Sequence, residues 1–339
     1  MSINELNDAK KVKDKYAALI KGNYMIYNKN FIMAVFFYTS GLFAGNGTSG
    51  FEFLRTDFSA RSAAMGGAFV AMRGDLNGLF HNPAGLAFIQ EQQFNFNYTS
   101  YLLDINGGQA GYSYRLPQMG QLSAVVIYLD YGSFDETNEF AEKTGRSYGA
   151  NDFSVAFSYA DELEQYFTYG VALKYVSSKI DVWSANALAF DFGLLYEAPF
   201  EEDLFFGISL LNVGKTLSAF IDTKESLPMS LRIGFAKKLA HLPLEFNATL
   251  NDLNVAESSI WDRLRKFSLG GEFTLSKIFR LRLGYDNDLH QGLDTGKGAG
   301  FAGISLGFGV LWNKYRFDYG YSSFGDLGIT HRFGIFGSL

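Results

Sequence analysis

From Gln92 onward the chain alternates apolar and polar residues with a period of two. Phe94, Phe96 and Tyr98 are interleaved with Asn95, Asn97 and Thr99, and Phe153, Val155, Phe157 and Tyr159 with Ser154, Ala156 and Ser158. Phe167, Tyr169, Val171, Leu173 and Tyr175 alternate with Thr168, Gly170, Ala172 and Lys174. Near the end, Phe279, Leu281, Leu283 and Tyr285 oppose Arg280, Arg282, Gly284 and Asp286, and Tyr315, Phe317, Tyr319 and Tyr321 oppose Arg316, Asp318, Gly320 and Ser322. Such alternation puts successive side chains on opposite faces of a strand, whereas a helix repeats every 3.6 residues. About fourteen segments of this kind can be counted, each roughly nine to fourteen residues long. That matches the roughly 9–11 residues that cross a bilayer at a tilt, not the five or six of an ordinary soluble strand. The weakest is Gln121 to Asp130, where Val125, Val126 and Ile127 blur the pattern.

The connections sort by length. Tight turns are expected near Pro117, Glu162, Pro199, Ala240, Lys277 and Asn313. The links between them are longer: Gly132 to Gly149, Asn212 to Leu227, Asn251 to Arg265 and Asp286 to Lys297, with shorter ones at Leu102 to Gly108, Ser177 to Ala185 and Ser323 to Leu327. Short periplasmic turns alternating with longer extracellular loops are the design of an outer-membrane barrel; a soluble sandwich has no reason to sort its loops. One face of the strands is Leu, Ile, Val, Phe and Tyr. The other carries Gly, Ser, Asn and the charges Lys174, Asp191, Arg232, Glu245, Glu272, Arg280, Arg282, Arg316, Asp318 and Arg332. A sandwich would bury the apolar face, while a membrane barrel inverts the arrangement and turns the charges into its lumen. Periodicity does not say which face is outside; loop sorting and the leader described below favour the barrel.

Composition changes this picture little. The 339 residues include 17% aromatic and 19% charged residues, 37 Gly, 5 Pro and no Cys, and mean hydropathy is −0.01. Aromatics suit pleated surfaces, and a membrane barrel keeps mean hydropathy near zero because its two faces cancel. A net charge of −6 with no basic patch argues against a nucleic-acid partner.

Ahead of the strands lie two other segments. Lys29, the apolar run Phe31 to Tyr38 and the small-residue exit ending at Ala44 have the layout of a secretory signal. The expected leader is 1–44, with Met25 as the true start, the signal peptide at 25–44, and a polar, lysine-rich stretch before it. Residues 45–91 do not alternate; small residues from Ala60 to Ala71, Gly66, Gly67 and Gly74, and the Asn82-Pro83 turn predict a compact segment with one or two short helices. Before a barrel at 92–339 it reads as a plug in the lumen, because fourteen strands enclose more space than side chains fill.

No constellation for chemistry emerges. His81 and His331 are not read as catalytic; His81 has no Cys or acidic partner at metal-ligand spacing and reads as a structural polar contact. Gly296, Gly298 and Gly300 lack the helix a nucleotide loop requires. Asp135, Glu136, Glu139 and Glu142 fail the EF-hand spacing and read as a solvated loop. The lumen charges could form a selectivity ring or pair with one another and with the plug; pairing is favoured because unpaired buried charge is costly. The chain therefore reads as a non-enzyme with no catalytic residue, metal or cofactor.

Three stretches are distinctive: GTSGFEFLRTDFSARSAAMGGAFVA, then HNPAGLA, then the closing RFDYGYSSFGDLGITHRFGI. Together they resemble the PorV/PorQ family of outer-membrane proteins, which is similar to the FadL-type fourteen-stranded barrels. The resemblance implies an outer-membrane component of the type IX secretion system that binds cargo C-terminal signal domains, the translocon channel and an attachment complex. It implies, as the alternative, a FadL-like carrier for a hydrophobic small molecule, in which Asn82, Pro83 and Ala84 would lie in the hatch. Outer-membrane lipid is the remaining expected partner. The chain ends Gly337-Ser338-Leu339, without the terminal aromatic typical of such barrels, although Phe336 is near.

Overall fold

The computed structural model describes residues 49–294 and 299–339. The expected leader and its cleavage point lie outside the described residues, as do Gly296 and Gly298. Fourteen antiparallel strands form one closed barrel in which each strand pairs with its neighbours in sequence and β1 also pairs with β14. They are β1 Gln93–Ser100, β2 Asn106–Leu116, β3 Gly120–Thr137, β4 Lys143–Glu164, β5 Phe167–Ile180, β6 Trp183–Glu197 and β7 Leu204–Ser218. The second half comprises β8 Ser230–Lys238, β9 Leu244–Leu250, β10 Phe267–Thr274, β11 Phe279–Asp286, β12 Ile304–Trp312, β13 Tyr315–Ser323 and β14 Ile329–Ser338. Among the described residues no helix is long and apolar enough to cross a membrane.

The faces are inverted relative to a soluble protein. Phe96 is 54% exposed on the outer wall, whereas its neighbours Asn95 and Asn97 are 3% and 2% exposed inside. Phe157 likewise faces out between the buried Ala156 and Ser158. Exposed aromatics around a buried polar interior would be unstable in water and are what lipid contact requires.

Three sequence expectations need correction. The long loop expected over Gly132 to Gly149 is a two-stranded ribbon: β3 runs for 18 residues and β4 for 22, and only residues 138–142 turn. Register shifts between Asp130 and Ser133 and between Asp135 and Thr137 broke the alternation and hid the strands. The ribbon is held by Phe134 against Tyr148, with ring centroids 5.7 Å apart, and by the pairs Lys143–Asp135 and Arg146–Glu136. The link Ser177 to Ala185 is also strand, closed by a turn at residues 181–182 with Asp181 at φ 56°. Conversely, β9 has only 7 residues, fewer than the nine expected. The blur at Val125 to Ile127 has a packing cause. Val125 and Ile127 both point inward, buried against lumenal side chains such as Leu76 and Phe53.

Residues 49–91 pass through this cylinder. Ser49 bridges Ser226 in the β7–β8 connection, at the end of the barrel with the longer loops. Gln92 meets Leu339 at the opposite end, where the turns are short. Between them lie short helical stretches at Glu52–Arg55, Ala60–Ala63, Leu76–Phe80 and Pro83–Phe88. This topology predicts a labelling pattern that the cysteine-free chain makes easy to read. A membrane-impermeant thiol reagent on intact cells should label Ser49→Cys and Asn138→Cys but spare Gln118→Cys and Lys314→Cys, which should react only after permeabilisation. Equal labelling of all four in intact cells would refute the orientation.

Candidate functional site in the barrel lumen

The lumenal segment is fitted to the wall backbone against backbone. Glycines on the inner face stand where it approaches, several of them as cross-strand pairs: Gly170 with Gly193, Gly207 with Gly234, Gly270 with Gly284 and Gly307 with Gly320. A Cβ at Gly320 would lie 2.6 Å from Ala60 O, at Gly284 2.1 Å from Gly66 N, at Gly207 2.4 Å from Val70 O and at Gly170 2.3 Å from Pro83 C. In chain order the segment therefore touches β13, β11, β7 and β5, making a circuit inside the wall. A glycine within a strand marks such close approach.

Asn82, Pro83 and Ala84 lie on this circuit, against β5 and β6. Asn82 caps the helical stretch Pro83–Phe88 by accepting from Ala84 N at 3.0 Å, and Pro83 occupies a first-turn position where its missing N–H costs nothing. The Asn82 amide donates to Val70 O at 2.8 Å and to Leu194 O of β6 at 3.2 Å. Its polar side chain is thus committed to structure. Asn82→Ala should cost about 2–3 kcal/mol, combining a lost cap with unsatisfied buried carbonyls; urea unfolding in detergent reads this, and a change under 0.5 kcal/mol would contradict it.

The lumen charges form one closed ring. Arg61 Nη1 donates to Asp75 Oδ2 at 2.6 Å, and its Nε and Nη2 grip Glu272 at 2.9 and 2.8 Å. Glu272 also accepts from Arg282 Nε at 2.6 Å, and Arg282 Nη1 donates to Asp318 at 2.7 Å. Asp318 accepts from Arg316 Nε at 2.7 Å, and Arg316 Nη2 returns to Asp75 Oδ2 at 2.8 Å. Three arginines thus alternate with three carboxylates. Four members come from β10, β11 and β13, and two from the lumenal segment. Burial alone would raise the Asp75 carboxyl, but the guanidiniums of Arg316 and Arg61 outweigh it and hold the group well below the usual carboxylate range. Phe336 points inward beneath this ring, 4.3 Å from Arg316 Cζ, and so is unavailable as an outer-wall aromatic.

Five further charged residues stand at inward positions of their strands: Lys174, Glu245, Arg332, Arg232 and Arg280. Lys174 of β5 pairs with Asp191 of β6 at 2.6 Å and donates to Asn212 at 2.7 Å; all three are buried, and Asn212 has φ 57° at an irregularity between β6 and β7. Glu245 accepts from Arg73 at 2.9 Å. Arg332 donates to Asp57 O, Ser322 and Thr330, and Arg232 to Ser230. Among the described residues Arg280 donates to the carbonyls of Ser276 and Phe279. Nε2 of His81 lies 3.4 Å from Asp57 Oδ2, and Nδ1 of His331 lies 2.8 Å from the Tyr319 hydroxyl on the outer wall. Sequence reasoning missed Arg61, Asp75 and Arg73, the lumenal partners of the wall charges. The available signal was faint: isolated charges in a run of small apolar residues.

Two recesses flank the occupied middle on the loop side. One, of about 310 Å³, includes Arg232, Arg332, Asp57 and Asp252; the other, of about 370 Å³, is mixed, with Phe51, Phe220 and Ile221 beside Asp222 and Glu225.

A family model described as type IX secretion system protein PorV matches residues 46–194, the lumenal segment and the first strands. No curated protein matches the chain. Among solved structures, the toluene transporter TodX of P. putida is similar with 13% identity and a TM-score of 0.56, covering 82% of this chain and 97% of that one. The CymD monoaromatic hydrocarbon channel is similar with 12% identity and a TM-score of 0.54, covering 82% of this chain and 96% of that one. These identities make the likeness one of fold. With its closed wall of fourteen antiparallel strands, this chain has the β-barrel fold of these channels, and its residues 46–194 are similar to the PorV family.

Proposed function

We propose that the protein is an outer-membrane component of the type IX secretion system that binds cargo C-terminal signal domains and the translocon and attachment partners through its external loops. The observation that carries this reading is the match of the PorV model to residues 46–194. The lumen supports it physically. A segment seated on inner-wall glycines and tied into a ring of six charges is built to stay in place as a plug rather than to let solutes past. Work done by such a barrel falls to its outer surfaces: the β3–β4 ribbon and the connections at 219–229, 251–266 and 287–303. Outer-membrane lipid is the partner of the apolar wall. The test is a deletion strain together with affinity purification of the tagged protein. Loss of export and anchoring of signal-domain cargo, with recovery of a translocon subunit, is expected; unaffected export would reject the reading.

A second reading, a FadL-like transporter for hydrophobic small molecules, is favoured by one feature, the recess that Phe51, Phe220 and Ile221 line together with Asp222 and Glu225. Its size suits a small hydrophobic compound. Toluene uptake into proteoliposomes separates the two: the adaptor reading expects no rate above protein-free vesicles.

A further inference from the structure

The outer rim at the short-turn end carries its charge unevenly. The connections β4–β5 and β6–β7 hold Asp161, Glu162, Glu197, Glu201, Glu202 and Asp203 around the exposed Phe200. The connections β10–β11 and β12–β13 hold no carboxylate; they read Leu275-Ser276-Lys277-Ile278 and Asn313-Lys314. The ladder sets these two turns side by side. Phe279 pairs with Val310, Leu311 N donates to Ile278 O at 2.8 Å, and Trp312 pairs with Tyr315 across the hairpin that Asn313 turns at φ 55°. Lys277 therefore stands beside the end of β12 at one strand spacing, about 4.8 Å, and Lys314 lies two residues past Trp312 on the other side. Among the described residues neither lysine side chain has a hydrogen bond or an ion pair. No carboxylate stands between them: Glu272 and Asp318 of the neighbouring strands are held in the inner ring, and Glu91 and the chain end at Leu339 lie on the β14 side of Lys314. Trp312 itself is 65% exposed at the foot of an outward row that includes Leu306 and Phe308, and Phe308 stacks on Phe279 with ring centroids 6.1 Å apart.

We propose that Lys277, Trp312 and Lys314 hold the headgroup of an anionic phospholipid from the leaflet at the short-turn end, with its acyl chains along Phe279 and Phe308. Aromatic rings at a barrel rim sit at headgroup level, and lysine stems lie along apolar surface while their ammonium groups reach the polar boundary. Two free cations on either side of one ring suit a single phosphodiester, which each approaches from a different oxygen. The exposed aromatic wall directly below selects an amphipathic ligand over a soluble anion. Across the rim the acidic connections repel the same headgroup, so the lipid is confined to this arc. The proposal rests on the membrane barrel alone and holds under either reading of its function.

The test uses the full chain in phosphatidylcholine vesicles, with Trp312 fluorescence quenched by lipids brominated on their acyl chains. The chain has three tryptophans, so Trp183→Phe and Trp261→Phe leave Trp312 as the reporter. Brominated phosphatidylglycerol, added as a minor component, should associate about fivefold or more strongly than brominated phosphatidylcholine, the scale of one cation near an anionic headgroup. Lys277→Gln combined with Lys314→Gln should bring that ratio to about one. Raised salt should lower it as well, because both lysines are exposed. With the reporter moved to the acidic arc, by Phe200→Trp and Trp312→Phe in the same background, the ratio should be about one or below. Every substituted position is exposed, so the variants should keep the heat-modifiable folded band. Equal association of the two lipids at Trp312, a preference indifferent to the lysine substitutions, or an equal preference at position 200 would each overturn the proposal.

Discussion

Glu272→Ala is expected to destabilise the folded barrel by about 3–5 kcal/mol, the cost of leaving buried charge uncompensated. Glu272 is the ring member with the most at stake, because two arginines depend on it. Arg61 grips it with two nitrogens and Arg282 with one, and Arg282 is fully buried. Removing the carboxylate leaves Arg61 with Asp75 alone and Arg282 with Asp318 alone, so the ring opens at the joint between the wall and the lumenal segment. Glu272→Gln should recover part of the loss, since the amide oxygen still accepts one hydrogen bond while the charge is gone. Urea unfolding in detergent measures both, and, if the lumenal segment plugs the barrel as proposed, the alanine variant should also show current steps in planar bilayers as that segment loosens. A change below 1 kcal/mol with no conductance would mean that the ring is not a fastening.

The same ring sets an expected pH response. A carboxyl held below its ordinary value contributes stability above its unfolded pKa, about 4, and loses it only as pH falls through the depressed folded value. The Asp75 contribution should therefore be constant from pH 8 to pH 5 and decline only below about pH 4. An unfolding midpoint that drifts between pH 8 and 5 would point to another titrating group.

The wall was legible in the sequence because its physics is local. Each strand repeats every two residues whatever its partners do, and an apolar outer face and a polar inner face are both visible in a window such as Phe94 to Thr99. Where strands met water instead of lipid, that signal failed. The β3–β4 ribbon carries Asp135, Glu136, Glu142 and Lys143 and contains two register shifts, so it resembled a loop. The inner charges could be nominated by parity, but their pairing could not. Arg61 and Asp75 are 211 and 241 residues from Glu272 and Arg316, and only the circuit of the lumenal segment brings them together. Asn82 shows the reverse situation: its turn was readable from Asn-Pro, while its hydrogen bond to Leu194 O required knowing that β6 stands behind it.

The largest effect is expected at the inner-wall glycines, and Gly284→Val is the sharpest case. The Cβ of any residue there would lie 2.1 Å from Gly66 N, 2.4 Å from Met65 C and 2.8 Å from Met65 Cα. All three are backbone atoms, so no rotamer change relieves the clash, and Gly66 itself has φ 63°, which restricts how its backbone can yield. Overpacking typically costs 1–3 kcal/mol where side chains can shift; here neither wall can, and the cost should exceed that range. Two outcomes relieve it. Either the barrel fails to close, seen as loss of the heat-modifiable folded band on gels, or it closes with the segment expelled, seen as a large stable conductance. Gly292→Ala, with nothing within 4 Å of its Cβ, should behave as wild type and controls for glycine loss as such. Wild-type folding of Gly284→Val with a closed lumen would show that the segment is not seated on the wall, and the occlusion on which the adaptor reading leans would lose its physical basis.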